Sequence, residues 1–176
     1  MNAESKTSTD KMNALSQPVS ERDHAQGEAT APATLVMYGA YECLHCVEAN
    51  KIVKKLQQSL GKRLRFVFRH FPRTNVHPHA EAAAEVAEAA GEQGKFWEMH
   101  DTLFAHFDHL DGEHLVRYAE ELGLDMNRFD QAIGHRSFTS RVQEDFKSGT
   151  ERGVRGTPTF FLTACVTRER GTLMHY

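Results

Sequence analysis

The stretch Thr34-Leu35-Val36-Met37-Tyr38-Gly39-Ala40-Tyr41-Glu42-Cys43-Leu44-His45-Cys46 decides how this chain is read. Its first five residues form a short apolar run between Pro32 and Gly39, which predicts a buried strand. From Leu44 to Leu60 the apolar residues Val47, Ile52, Val53, Leu56 and Leu60 recur at helical spacing, and Gly61 closes the pattern. Leu64–Phe71 then alternates apolar and polar residues before Pro72, as a second strand would. Strand, helix and strand with short connections make a βαβ unit, so the two strands are expected to be parallel.

Cys43 and Cys46 fall where the first strand hands over to its helix. On a first helical turn, residues i and i+3 lie about 5–6 Å apart, within the span of a disulfide. So small a ring constrains little chain, and the value of such a bridge is reactivity rather than stability. At the helix N-terminus, free N–H groups and the helix dipole favour an anion at Cys43. A protonated His45 would add a second cation beside the sulfur. A thiol of pKa about 8.5 is roughly 3% ionised at pH 7, and one of about 6 is roughly 90% ionised. Cys43 is therefore read as the nucleophile and Cys46, one turn deeper, as the resolving thiol. Two other uses of the same cysteines stay open. One is a redox-sensing switch without turnover. The other is half of a zinc site with His77 and His79, although no second Cys-x-x-Cys exists and those histidines straddle a helix start.

Outward from this unit the chain changes character. Residues 78–152 read as an all-helical block, with segments at Glu81–Gln93, Phe96–Phe107, Leu115–Leu122, Asn127–Ile133 and Phe138–Lys147. Thr157-Pro158-Thr159-Phe160-Phe161-Leu162 returns to β-type sequence. His70, His100, His106, His109 and His114 are read by default as surface or partly buried histidines. Trp97, Phe104 and Phe107 are read as core. Order is expected to begin at Thr34, with Met1–Val19 a flexible polar tail and residues 20–176 the domain.

The whole chain has 176 residues, 21 Lys+Arg against 24 Asp+Glu, and a formal net charge of −3, which argues against a nucleic-acid binder with a broad basic face. Ala33–Tyr41 is the longest apolar run and is too short for a membrane span. Three cysteines exclude a disulfide-dense scaffold. The first residues lack the basic start and apolar run of an export signal, so a cytoplasmic location is expected; a misassigned start would make it periplasmic or extracytoplasmic.

The order of elements, the Cys-x-x-Cys at the first strand–helix junction and Gly156-Thr157-Pro158-Thr159-Phe160-Phe161 resemble the DsbA-like branch of the thioredoxin superfamily. Phe66–Pro72, His77-Pro78-His79-Ala80 and Gly94-Lys95-Phe96-Trp97 with Met99-His100-Asp101 are also similar, so the likeness runs from about Val19 to Leu162. It implies an α/β thioredoxin fold with an all-helical insertion between the second strand and the cis-proline strand. The implied activity is thiol–disulfide exchange with protein or small-molecule thiol and disulfide substrates, needing no cofactor or metal, and recharged by a partner reductase or oxidase. It further implies that Pro158 is cis and packs beside the cysteines, with Thr157, Pro158 and Leu44 meeting the substrate.

Three positions depart from the family pattern. Leu44 stands where Pro is common, Met37 where many members place an acid in the first strand, and Ala40 where an acid often precedes the aromatic. An apolar strand beside Cys46 would keep it protonated, leaving water or Glu42 to take its proton. After Leu162 the family adds a strand and a closing helix, whereas Thr163–Tyr176 is long enough only for a hairpin, including Cys165. An uncovered sheet face or edge is expected there, with marginal stability or self-association.

Overall fold

The computed structural model describes residues 18–164. In chain order the elements are β1 (His24–Gln26), β2 (Ala33–Gly39), α1 (Leu44–Leu60), a 3₁₀ turn (Gly61–Arg63) and β3 (Leu64–His70). Then follow α2 (Ala80–Glu92), α3 (Phe96–Ala105), α4 (Gly112–Glu121), α5 (Met126–Gly134), α6 (Thr139–Glu151) and β4 (Thr159–Ala164). This is the expected thioredoxin-type α/β fold with a helical insertion, and all five inserted helices fall inside the block read from the sequence. The expected C-terminal hairpin, with Cys165, lies outside the described residues but for Thr163 and Ala164, which end β4.

The sheet order is β1-β3-β2-β4. β2 and β3 are parallel, from Ala33 opposite Leu64 to Gly39 opposite His70, as a βαβ unit requires. β4 runs antiparallel to β2, with Met37 opposite Phe160 and Leu35 opposite Leu162. Alternation along the strands splits the core in two. Met37, Phe66 and Phe68 pack with α1, α2 and α3 on one face, while Val36, Tyr38, Val67 and Phe71 form a smaller cluster on the other. Phe160 and Leu162 are exposed, at 41% and 60%.

Order starts earlier than expected. β1 pairs antiparallel with β3, His24 opposite Phe68. Three polar-flanked residues carry too little periodicity to be read as a strand. Val19, assigned to the tail, packs against the smaller cluster. Pro18 accepts a hydrogen bond from Arg69, which is 1% exposed and also bonds both carboxylate oxygens of Asp23. Residues 1–17 of the expected tail lie outside the described residues.

Helix α6 comes close to the sheet because it has no side chain at Gly149. A Cβ there would stand 2.8 Å from Phe71 and 3.0 Å from Tyr38. Phe71 cannot retreat, since its ring stacks on Phe146 at 4.4 Å and meets Tyr38 edge-on. Overpacking of this kind costs about 1–3 kcal/mol, against about 1 kcal/mol that alanine gains in helix propensity. Gly149→Ala is expected to lower stability by up to about 2 kcal/mol in urea denaturation, without changing the slope.

Candidate active site

Cys43 is the N-cap of α1, extended at φ −97 and ψ 112, with Cys46 on the first turn. The turn is closed by Cys46 N and Val47 N, which donate to the Cys43 carbonyl at 2.9 and 3.1 Å. Both cysteines are buried and unbridged, so the structure shows the dithiol. β4 starts directly after the cis Thr157–Pro158 bond. Its pairing with β2 brings the Thr157 carbonyl to 3.5 Å from Cys43 Sγ, across 114 residues of chain. Cys43, Cys46 and Thr157 thus converge, with Pro158 adjoining them in the chain.

The two sulfurs are not equivalent. A hydrogen bond from the Cys46 thiol, joined by hydrogen bonds from the Thr157 side chain and the Cys46 backbone and by the charge of His77, lowers the Cys43 pKa to about 5. That corresponds to about 99% thiolate at pH 7. The same hydrogen bond, together with burial and the Cys43 charge, pushes Cys46 well above the ordinary thiol range. One proton is thereby assigned to the deeper sulfur and one charge to the outer one.

The other sequence-selected residues are placed as follows. Leu44 and His45 are exposed on the first turn of α1. A histidine charge that lowers the Cys43 pKa comes from His77, in the connection between β3 and α2. Sequence adjacency favoured His45, and only the folded connection brings His77 near. Met37 is fully buried in the core that holds Cys46. Glu42 is engaged elsewhere, accepting from His79 N at 2.8 Å with its other oxygen 2.9 Å from His79 Nδ1. The zinc alternative would need His79 to turn toward the cysteines. Among the described residues no group of three or more His, Cys, Asp or Glu is placed to hold a metal ion.

Two histidines read as surface or partly buried are in fact fully buried. His100 lies between Tyr41 Oη at 3.1 Å and Asn50 Oδ1 at 3.3 Å. The Asn50 oxygen can only accept, so Nε2 carries the proton and Nδ1 accepts from the Tyr41 hydroxyl. Burial holds His100 well below its ordinary pKa, keeping the ring neutral. Asn50 is one turn beyond Cys46 on the buried face of α1, so this chain fixes the helix that carries both sulfurs. His70 bonds Glu88 at 2.9 Å, and His24 bonds the same carboxylate. Burial opposes the Glu88 charge, but hydrogen bonds from the two rings hold its pKa well below the carboxylate range. Motif patterning gave no signal for these partners, which come from β1, α1, α2 and the turn before α1.

The pKa of Cys43 makes two measurable statements. Iodoacetamide trapping of Cys43 should fall with a midpoint near pH 5; His77→Ala should raise that midpoint by roughly half a unit and His45→Ala should leave it in place. The folded thiol is ionised from about pH 5 and the unfolded one only from about 9. The stability that Cys43 adds to the dithiol is therefore full by about pH 9 and lost as pH falls to about 5, while above pH 9 the raised pKa of Cys46 acts in the opposite sense. Urea midpoints of dithiol and disulfide forms should shift in favour of the dithiol as pH rises through that window.

A family model described as thioredoxin matches residues 19–171. The Na(+)/H(+) antiporter NhaA 3 of Salinispora tropica is 46% identical over 142 residues, which are 81% of this chain and 22% of that protein. NhaA 1 of Mycobacterium sp. (strain KMS) is 42% identical over 144 residues, 81% of this chain and 24% of that protein. The chain thus spans less than a quarter of these curated relatives. Among solved structures, oxidised BdbD of Bacillus subtilis superposes with a TM-score of 0.73 at 22% identity, covering 86% of this chain and 87% of that one. Alpha-DsbA1 of Wolbachia pipientis gives 0.70 at 22% identity, covering 84% and 77%. The chain belongs to the thioredoxin family and carries the DsbA-like form of its fold.

Proposed function

We propose that this chain is a thiol:disulfide oxidoreductase acting through Cys43 and Cys46. The observation that carries the reading is a pair of unbridged thiols on the first turn of a helix, with Cys43 at the N-cap and its sulfur 3.5 Å from the Thr157 carbonyl that the cis-proline strand brings back. The Cys43 thiolate attacks one sulfur of a substrate disulfide, forming a mixed disulfide and releasing the other substrate sulfur as thiolate. Bond formation removes the anion on Cys43. Two of the three causes that hold Cys46 protonated, its hydrogen bond to Cys43 and the Cys43 charge, vanish with it. Cys46 then attacks Cys43 Sγ, its proton goes to the departing substrate sulfur, and two electrons have passed to the substrate. The reverse sequence oxidises a dithiol substrate, and a partner reductase or oxidase would reset the pair. No carboxylate is required for this, which accounts for Met37 in the first strand and for Glu42 being held by His79.

Protein or small-molecule thiols and disulfides are the proposed substrates, met by the exposed Leu44 and by the Thr157–Pro158 backbone. The long curated relatives are named as antiporters, and we read the segment they share with this chain as a redox module rather than as an ion path. No helix among the described residues is long and apolar enough to cross a membrane.

In an insulin-type reduction assay, Cys43→Ser should reduce turnover by at least about a hundredfold. Cys46→Ser should instead accumulate a mixed disulfide with substrate, visible by non-reducing electrophoresis. Turnover surviving in Cys43→Ser would end this reading.

A further inference from the structure

A recess of about 370 Å³ opens beside the loop that carries Thr157. Its walls include Phe71, Arg73, Phe146, Thr150, Val154 and Arg155. Phe71 and Phe146 stack at 4.4 Å and form an apolar wall, with Phe146 37% exposed. Arg73 and Arg155 supply two guanidinium groups. No ion pair or hydrogen bond among the described residues engages either side chain. Several other arginines are matched with acids, among them Arg22 with Glu144, Arg69 with Asp23, Arg128 with Glu92, Arg136 with Glu85 and Arg141 with Asp145, while Arg63 and Arg65, outside this recess, have no ion pair among the described residues either. In a chain of net charge −3, Arg73 and Arg155 are two unmatched arginines that line one recess together.

The recess adjoins the Thr157 loop on one side and the His77 turn on the other. Arg155 is two residues before Thr157, whose carbonyl contacts Cys43. Arg73 Nη1 lies 3.9 Å from where a Cβ on Gly156 would stand. Arg73 also opens the turn that presents His77, its carbonyl accepting from Val76 N and His77 N at 2.9 and 2.8 Å. A polypeptide bonded to Cys43 and running past Thr157 therefore meets Arg155 and Arg73 within a few residues. A guanidinium pair beside an aromatic wall suits a carboxylate next to an apolar side chain.

We propose that this recess selects acidic polypeptide substrates, seating an Asp or Glu near the reacting cysteine between Arg73 and Arg155 with an apolar neighbour on Phe71 and Phe146. The proposal rests on the exchange activity inferred above.

The test uses disulfide-bonded reporter peptides that differ only in Glu, Gln or Lys beside the cysteine. The whole chain should favour the Glu peptide over the Gln peptide by about fivefold in kcat/KM, mainly through KM and less so at high salt. R73Q/R155Q should lose that preference while keeping activity on the Gln peptide, and R73E/R155E should favour the Lys peptide. Identical peptide rankings in all three proteins would overturn the proposal. Should no peptide be turned over, the exchange reading fails and the recess is judged by binding alone. Fluorescence anisotropy with Cys43→Ser/Cys46→Ser protein should then show the Glu peptide held about fivefold tighter than the Lys peptide, with the difference lost on adding R73Q/R155Q. Equal binding of both peptides would refute it.

Discussion

The antiparallel pairing of β4 with β2 is the contact on which the site depends, because it alone carries Thr157 back to Cys43. The register runs from Ala33 opposite Ala164 to Tyr38 opposite Thr159. β2 ends at Gly39 and β4 begins at Thr159, so the strand end that feeds α1 and the strand start that follows Pro158 lie side by side. A slip of one residue would move the Thr157 carbonyl by about 3.3 Å and send Phe161 to the opposite face of the sheet. Phe161 resists this by packing edge-on against Tyr38 at 5.8 Å, within the smaller core. Register and chemistry are thus fixed by the same side chains.

Around that junction, the fold keeps several carboxylates occupied. Glu42, next to Cys43, is bound to His79, which caps the start of α2. Glu88 faces His24 and His70, Asp145 faces Arg141 and the His70 amide, and Asp23 faces Arg69. Unpaired, such buried charges would be costly and would disturb neighbouring titrations. With each matched, the leading influence on Cys43 is Cys46 itself. The pair therefore responds mainly to its own bonding state, which suits a cycle in which Cys43 alternates between anion and covalent bond.

The helical block serves the site through contacts that pattern does not advertise. Its helices supply His100, Glu88, Ser148 and Gly149 to residues of β2, β3 and the turn before α1. The Tyr38 hydroxyl sits 2.8 Å from the Ser148 hydroxyl and accepts from Arg69 at 3.0 Å. One strand residue thereby ties the insertion to the N-terminal segment that Arg69 holds. The recess with Arg73 and Arg155 lies along that seam, where the β3 exit, α6 and the approach to Pro158 meet.

What the sequence determined by itself was local. Apolar runs with period near 2 or 3.6 specified β2, α1, β3 and the five inserted helices. The placement of Cys43 and Cys46 on a first helical turn singled them out as the candidate pair, because spacing within one turn is independent of the rest of the chain. Tertiary structure decided what depends on distant partners. β1 is formed by pairing with β3 and not by its own three residues. His77, distant in sequence on the β3–α2 connection, adds its charge to those that lower the Cys43 pKa, while His45 on α1 is exposed. His70 and His100 became buried polar ties because their partners, Glu88, Tyr41 and Asn50, arrive from other elements. Hydrogen bonds and charge act over a few ångströms of space, and no periodicity along one segment records which residue of another segment will stand within that range.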